Sequence, residues 1–218
     1  MTRKVLLTGR PGCGKTTLIK RVVNELARPA GGFYTEEIRE RGARVGFKIV
    51  TTDGKEAVFA NVNFPATAEP QRLGKYGLDL SGLETIGVAA LRRAVAARHL
   101  VVIDEIGPME IRSRTFCDAV NEALDINVPV LGTISVRPNP FTNAIKNRRD
   151  VTIIEVGRSN RDQLVSDLSD QFKACNGNQK RCEDAPHSKS TSCKIPFRAS
   201  FGVRTRPRVA FALRVQTE

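Results

Sequence analysis

Residues 9–16 read Gly-Arg-Pro-Gly-Cys-Gly-Lys-Thr and match every fixed position of the pattern GxxxxGK[ST]. The stretch follows the apolar run Val5–Leu7 and precedes a helical pattern. Its glycines allow a tight turn whose backbone N–H groups point inward and cradle phosphate groups. We expect Lys15 to reach the β- and γ-phosphates and the Thr16 hydroxyl to bind Mg²⁺. The stretch therefore predicts a strand, a phosphate-binding loop and a helix, in that order.

Short apolar runs alternate with helical patterns along much of the chain. The runs lie at residues 5–7, 100–103, 128–131 and 151–156, and the helical patterns that follow them lie at 16–27, 113–124, 140–146 and 160–172. Such alternation is typical of βαβ units that build a mainly parallel sheet with helices on both faces. Apolar residues at helical spacing predict a further helix from residue 81 or 83 to residue 98. The sequence thus predicts an α/β fold.

The segment between the first helix and that further helix has a different pattern. Three short runs, 33–39, 45–51 and 56–60, are separated by the turn signals Arg41-Gly42 and Asp53-Gly54. Short runs at this spacing, separated by such turns, are typical of β-hairpins. We therefore expect antiparallel hairpins inserted into the parallel core.

The last part of the chain differs in composition and charge. The 218 residues carry a formal net charge of +12, and residues 174–218 contain nine Lys and Arg side chains against three acidic ones. This segment is also rich in Asn, Ser, Cys and Pro, which are poor core formers. We predict one domain over residues 1–173 and a basic, poorly ordered extension over 174–218.

The cysteine pattern and the hydropathy of the chain indicate in which part of the cell the protein is located. The five cysteines are irregularly spaced, and the chain shows neither a signal-peptide pattern nor an apolar stretch of the roughly 20 residues that span a bilayer. We therefore expect a cytoplasmic protein with no membrane partner.

A second polar motif ends a buried strand. Residues 100–105 read Leu-Val-Val-Ile-Asp-Glu, so two acids follow four apolar residues. The carboxyl ends of parallel strands are where open α/β sheets bind ligands. We expect Asp104 to bind Mg²⁺ together with Thr16, and Glu105 to accept a proton from an attacking water.

These two motifs define the predicted site. Lys15 and Glu105 are the predicted catalytic residues, and Thr16 and Asp104 are the predicted Mg²⁺ ligands. The predicted nucleotide contacts are Gly9, Arg10, Pro11, Gly12, Cys13, Gly14, Lys15, Thr16, Thr17, Val101, Val102, Ile103, Asp104, Glu105, Ile106, Gly107 and Pro108. Residues 104–107 also fit the DxxG pattern of GTPases, but the sequence has no Asn-Lys-x-Asp element to recognise guanine. We therefore expect loose base selectivity.

Five segments together resemble one family. They are residues 9–17, 32–39, 44–48, 102–110 and 160–162. Over residues 1–173 the chain resembles the small nucleoside triphosphatases first described from thermophiles, which are related to the cancer-related nucleoside triphosphatase. The resemblance implies a P-loop NTPase with a RecA-like three-layer α/β fold. It also implies Mg²⁺-dependent hydrolysis of ATP, GTP, CTP, UTP or TTP to the diphosphate and phosphate.

Two other activities and several residue roles remain open from the sequence. A small-molecule kinase would need an acceptor pocket, which the hairpin region could supply. An ATP-dependent nucleic-acid-binding protein would use the basic tail, although aromatic residues are only 6% and Trp is absent. An arginine that stabilises transition-state charge could be Arg148, Arg149, Arg158 or Arg161. Glu110 could complement the start of the following helix or have a catalytic role, and we expect the former.

Overall fold

The structure is a computed structural model that describes residues 3–65 and 72–174. The predicted extension over 174–218 lies outside the described residues, apart from Ala174 at the end of the last helix. The strands are β1 Lys4–Thr8, β2 Ala30–Glu40, β3 Ala43–Thr51, β4 Glu56–Asn61, β5 Arg72–Leu73, β6 Tyr76–Leu78, β7 Leu100–Ile106, β8 Val130–Ile134 and β9 Thr152–Glu155. The helices are α1 Lys15–Leu26, α2 Leu80–Gly82, α3 Ala89–Ala96, α4 Arg114–Asp125, α5 Pro140–Lys146 and α6 Arg161–Ala174.

All of these strands belong to one mixed sheet, in the order β5-β6-β4-β3-β2-β7-β8-β1-β9. Strands β2, β7, β8, β1 and β9 are parallel to one another, whereas β3, β4, β6 and β5 continue the sheet in antiparallel pairs. The predicted parallel core and the predicted hairpins are both confirmed. The hairpins extend the edge of the same sheet.

Helices cover the sheet on both faces, which confirms the three-layer α/β fold. Val5 and Leu7 of β1 pack with α1 and α6 on one face, and Leu6 packs into the core that contains residues of α3 and α4. The alternation follows from the two-residue period of a strand. Because β1 and β7 are buried on both faces, their sequences are nearly continuous apolar runs.

Polar side chains fix where several helices begin. The Asp79 carboxylate accepts a hydrogen bond from Gly82 N at 3.1 Å, the Ser113 hydroxyl from Phe116 N at 3.0 Å, and the Asn139 side chain from Phe141 N at 2.9 Å. Such N-caps satisfy N–H groups that have no partner within the helix.

The predicted long helix before β7 is present but not uniform. A π-helical segment, Leu83–Val88, joins α2 to α3. A β-carbon at Gly87 would lie 3.2 Å from the Phe33 ring. Helical periodicity predicted one regular helix here, because it does not distinguish a locally wider turn from an α-helix.

Among residues 3–65 and 72–174, none of the helices has the length and apolar character needed to cross a bilayer.

Candidate active site

The loop Gly9–Gly14 connects the buried strand β1 to helix α1. Gly9 has φ 146°, and a β-carbon there would lie 2.5 Å from the Val156 carbonyl oxygen. Gly14, the residue before α1, has φ 96°, a left-handed conformation that glycine adopts at little cost. The turn aims the amino end of α1, with its unpaired N–H groups and positive dipole end, into the space above the loop.

Lys15 is half-buried and bonded to its own loop. Its Nζ donates to the carbonyl oxygens of Gly9 at 3.0 Å and Arg10 at 3.3 Å. No carboxylate within the described ranges forms an ion pair with this ammonium group. Lys15 is therefore a cation held beside the loop and able to exchange carbonyl contacts for phosphate oxygens.

Asp104 lies near the end of β7 and is only 2% exposed. Its Oδ1 accepts a hydrogen bond from Thr133 Oγ1 at 2.6 Å, and its backbone oxygen accepts one from Thr35 Oγ1 at 2.8 Å. Oδ2 is buried and has no hydrogen-bond partner within the described part of the chain. Burial raises the pKa of the Asp104 carboxyl, and the Thr133 and Thr16 side chains oppose that shift.

Glu105 and Glu110 form an acidic pair near Asp104. A β-carbon placed on Gly107 would lie 2.7 Å from Glu105 Oε1 and 2.9 Å from Glu110 Oε2, so both carboxyl groups crowd this glycine. Burial raises the pKa of Glu105, and the Asp104 carboxylate raises it further. Burial, then the Glu105 charge, raises the pKa of Glu110 to about 8. Glu110 is therefore protonated at neutral pH.

The expected role of Glu110 at the start of the following helix is wrong. Glu110 is 4% exposed and lies in the 3₁₀ turn Glu110–Arg112, whereas Ser113 caps α4. The sequence could not reveal that this turn folds the carboxyl group inward towards Glu105.

Two adjoining cavities open at this edge of the sheet. The larger, of about 620 Å³, is the cleft that contains Lys15, Thr16, Asp104 and Glu105. Its other lining residues are Pro11, Gly12, Gly14, Thr17, Thr35, Glu36, Glu37, Arg39, Arg44 and Phe47. The second cavity, of about 350 Å³, shares Pro11, Lys15, Thr35, Phe47 and Glu105 with the cleft and extends to Gly9, Pro108 and Glu110.

Most of the predicted loop residues thus meet around one cleft, but part of the predicted acidic segment does not. Val101, Val102, Ile103 and Ile106 are fully buried in the apolar cores on the two faces of the sheet. We correct their assignment as nucleotide contacts, because their side chains fix β7 rather than line the cleft. Gly107 is buried beneath the two carboxyl groups.

Arg10 and Cys13, two predicted nucleotide contacts, line neither cavity. Arg10 is exposed, and its carbonyl oxygen accepts a hydrogen bond from Lys15. Cys13 is a half-buried free thiol that packs against the apolar core beneath α1.

The hairpin β2–β3 supplies a charged wall of the cleft. Glu37 accepts from Arg39 Nε at 2.9 Å and from Arg44 Nη1 at 2.8 Å, and the Arg44 guanidinium lies 5.2 Å from the centre of the Phe47 ring. Glu36 is paired with Lys20 and, at 3.5 Å, with Lys48. The charges on this wall are therefore largely neutralised by one another.

The four arginines considered from the sequence lie at different places. Arg148 is bonded to Asp125 and Asp150 at the opposite edge of the sheet, so its charge is already paired. Arg161 packs on the loop, since a β-carbon at Gly14 would lie 2.8 Å from its Cδ. Arg149 and Arg158 are exposed and do not line either cavity.

Comparison with known proteins agrees with this arrangement. A family model described as NTPase matches residues 4–169. The nucleoside-triphosphatase THEP1 of Thermotoga sp. (strain RQ2) is 48% identical over 170 residues, which cover 78% of this chain and 95% of that protein. The cancer-related nucleoside-triphosphatase of Homo sapiens is 39% identical over 181 residues, which cover 77% and 95% of the two chains.

A solved structure has the same fold. The crystal structure of THEP1 from Aquifex aeolicus superimposes with a TM-score of 0.71 at 36% identity, and the match covers 78% of this chain and 99% of that one. Sequence and structure therefore agree over nearly the whole of these relatives. We conclude that the chain belongs to the NTPase family of enzymes, with the P-loop α/β fold that its sequence predicts.

Proposed function

We propose that the protein hydrolyses nucleoside triphosphates to the diphosphate and phosphate in a reaction that requires Mg²⁺. The observation that carries the proposal is the buried Oδ2 of Asp104, which has no protein partner among the described residues and belongs to the cleft that contains Lys15. A buried carboxylate oxygen without a partner is costly, and a bound cation compensates for that cost. Its position next to a phosphate-binding loop favours a cation that accompanies phosphate groups.

The residues at this point suit Mg²⁺. The ion prefers oxygen ligands and usually combines one or two carboxylates with substrate phosphates and water. Asp104 supplies a carboxylate and Thr16 a hydroxyl, and both line the same cleft. Asp104 and Thr16 would hold the ion, which would supply positive charge that neutralises part of the charge of the phosphate groups.

Lys15 and the loop backbone bind and orient the triphosphate. The amino end of α1 offers N–H groups to the phosphate oxygens, and the Lys15 ammonium group adds a positive charge that the described carboxylates leave unpaired. Because phosphoryl transfer needs little covalent help from the protein, positioning and fixed charge supply most of the rate.

Glu105 is the base in this proposal. Its carboxyl group is largely buried in the cleft, and its pKa is raised by burial and by Asp104. A raised pKa makes a carboxylate a better proton acceptor for the attacking water. Glu110, protonated at neutral pH, adds no second negative charge beside it.

We propose loose selection among ATP, GTP, CTP, UTP and TTP. The chain has no Asn-Lys-x-Asp element, and the hairpin wall of the cleft carries paired charges rather than free donors and acceptors for a particular base. We also propose a cytoplasmic location, and we do not favour nucleic acid as a partner.

The test is phosphate release from ATP, GTP, CTP and UTP by the purified chain, with Mg²⁺ and with excess EDTA. We expect release from several nucleotides, none in EDTA, and a large loss in Asp104→Asn. The Glu40→Gln variant, which removes an exposed acid at the end of β2, serves as the matched control. Equal rates with and without Mg²⁺, or an unchanged rate in Asp104→Asn, would contradict the proposal. Added RNA or DNA that accelerates hydrolysis would instead favour a nucleic-acid-binding role.

A further inference from the structure

Fast phosphoryl transfer uses an arginine at the γ-phosphoryl group. Charge develops on the γ-phosphoryl oxygens as the bond to the leaving diphosphate breaks, and an arginine in contact with them raises kcat by about 10³- to 10⁵-fold. Of the arginines considered from the sequence, Arg148 is paired at the other edge of the sheet, and Arg149 and Arg158 do not line the cavities. Arg161 packs on Gly14, and its guanidinium lies 3.6 Å from the Asp162 carboxylate.

Arg137 lies at the site and belongs to neither sequence motif. It follows β8, the strand next to β7, and lines the cavity of about 350 Å³ that also contains Lys15, Glu105 and Glu110. This cavity adjoins the larger cleft through Pro11, Lys15 and Glu105, and also through Thr35 and Phe47 of the β2–β3 hairpin. Arg137 and Lys15 therefore line the same cavity.

The turn that carries Arg137 is anchored on both sides. Ser135 N donates to the Ile106 carbonyl oxygen at 3.0 Å, and Ser135 Oγ accepts from Arg137 N at 3.2 Å. Lys146 Nζ donates to the Ser135 carbonyl oxygen at 2.6 Å, and Asn139 caps α5 just after the turn. The backbone at Arg137 is thus tied to the acidic strand, while its side chain is exposed at the cavity.

The charge of Arg137 is also available. Its guanidinium makes no hydrogen bond or ion pair with any residue in the ranges 3–65 and 72–174. Arg39 and Arg44, which line the cleft from the hairpin, are both bonded to Glu37. An arginine without a carboxylate partner beside Lys15 is an anion-binding group.

We propose that Arg137 contacts the γ-phosphoryl oxygens and stabilises the negative charge that develops on them during hydrolysis. The water oxygen forms a bond to the γ-phosphorus while the bond between that phosphorus and the bridging oxygen breaks. The diphosphate leaves with the electron pair of the broken bond, and Glu105 accepts the proton of the water. This assignment rests on the proposed function.

The test compares Arg137→Ala and Arg137→Lys with wild type in steady-state phosphate release and in binding of a non-hydrolysable ATP analogue. We expect kcat to fall by about 10³-fold in Arg137→Ala, with the Kd of the analogue changed less than about tenfold. Arg137→Lys keeps the positive charge but loses the planar guanidinium group. Its kcat should therefore lie between that of wild type and that of Arg137→Ala. Arg149→Ala, at an exposed residue before β9, should keep wild-type activity.

A second readout separates charge stabilisation from a structural role. Guanidinium chloride at millimolar concentration should restore part of the kcat of Arg137→Ala and should not affect Arg149→Ala. Wild-type kcat in Arg137→Ala, or a reduced kcat without rescue together with a lower Tm, would overturn the assignment. If wild type itself releases no phosphate, the proposed function fails before this question arises.

Discussion

Ionisable groups at the amino edge of the parallel sheet form ion pairs, whereas several of those at the carboxyl edge are unpaired or lie beside like charges. At the amino edge, the buried Lys4 ammonium donates to Asp150 at 2.8 Å and to the Leu124 carbonyl oxygen. Arg148 completes this cluster with bonds of 2.7 Å to Asp125 and 2.9 Å to Asp150. At the carboxyl edge, Asp104 has an unpartnered oxygen, and the pKa values of Glu105 and Glu110 are raised.

The difference separates stability from activity. The charges at the amino edge form ion pairs with one another. They therefore stabilise the fold and leave no unpaired charge there to bind a ligand. Unpaired or like charges at the carboxyl edge cost folding free energy and persist where a substrate or cation compensates for them. Substitutions at one edge should therefore change activity, and substitutions at the other should change stability.

The largest expected effect comes from Glu105→Gln. Loss of the base should lower kcat by about 10²- to 10⁴-fold, while nucleotide binding is kept because the amide has the same shape. The free energy of unfolding should stay equal or rise, since a carboxylate beside Asp104 is removed. Single-turnover hydrolysis and thermal denaturation measure the two quantities. A large loss of stability in Glu105→Gln would contradict the claim that substitutions at the carboxyl edge change activity rather than stability.

Lys15→Ala should have the next largest effect. Removing the ammonium group from the loop should lower kcat/KM by about 10²- to 10³-fold, as loss of one charge-stabilising donor does elsewhere. Its native contacts are two hydrogen bonds to carbonyl oxygens, so Tm should change by only a few degrees. Steady-state kinetics and calorimetry provide the test, and wild-type kcat/KM in this variant would refute the role of Lys15.

Asp150→Asn should show the opposite behaviour. The change weakens the partner of buried Lys4 and should lower the free energy of unfolding by about 2 kcal/mol, between the values for exposed and buried ion pairs. Hydrolysis at 25 °C should not change. Urea denaturation measures the loss, and a drop in kcat without a loss of stability would contradict the assignment.

The effect of Asp150→Asn on the free energy of unfolding should depend on pH. Hydrogen bonds from Arg148 and Lys4 hold the pKa of Asp150 well below its usual range. The stabilisation is therefore present above the unfolded-state pKa of about 3.9 and is lost as pH falls towards the lower folded-state pKa. The difference in stability between wild type and Asp150→Asn should be constant near neutrality and shrink in acid.

The smallest effect is expected from Glu110→Gln. The folded-state pKa of Glu110 is about 8, above the unfolded value of about 4.3, so protonation stabilises the fold. This contribution is complete below the unfolded pKa and declines as pH rises through about 8. With the neutral amide of Glu110→Gln, Tm should decline less between a pH of about 4.3 and a pH of about 8. Identical pH profiles of Tm for the two proteins would show that Glu110 does not titrate in this way.

Much of the fold and the outline of the site could be predicted from the sequence because their signals are local. The loop over residues 9–16 and the apolar runs of β1 and β7 are encoded by neighbouring residues. The hairpins were also recognisable, since short runs and turn residues occur within a few positions of each other.

The features that could not be predicted depend on residues far apart in the chain. Thr133 meets Asp104 because β8 lies next to β7, and Arg137 reaches the cavity for the same reason. The inward turn of Glu110 and the π-helical segment before β7 depend on packing rather than on periodicity. A polar Thr133 within the buried strand β8 was the available sequence signal for a third strand at the site.

The most direct test of hydrolysis at the carboxyl edge is to quantify both products formed from ATP and Mg²⁺ by the purified chain. Our account predicts ADP and inorganic phosphate in equal amounts over many turnovers, and about 10²- to 10³-fold slower formation of both products with Lys15→Ala. ADP formed without phosphate would mean transfer to another acceptor and would contradict hydrolysis. Nucleotide binding with no product at all would contradict the catalytic role assigned to Glu105 and its neighbours.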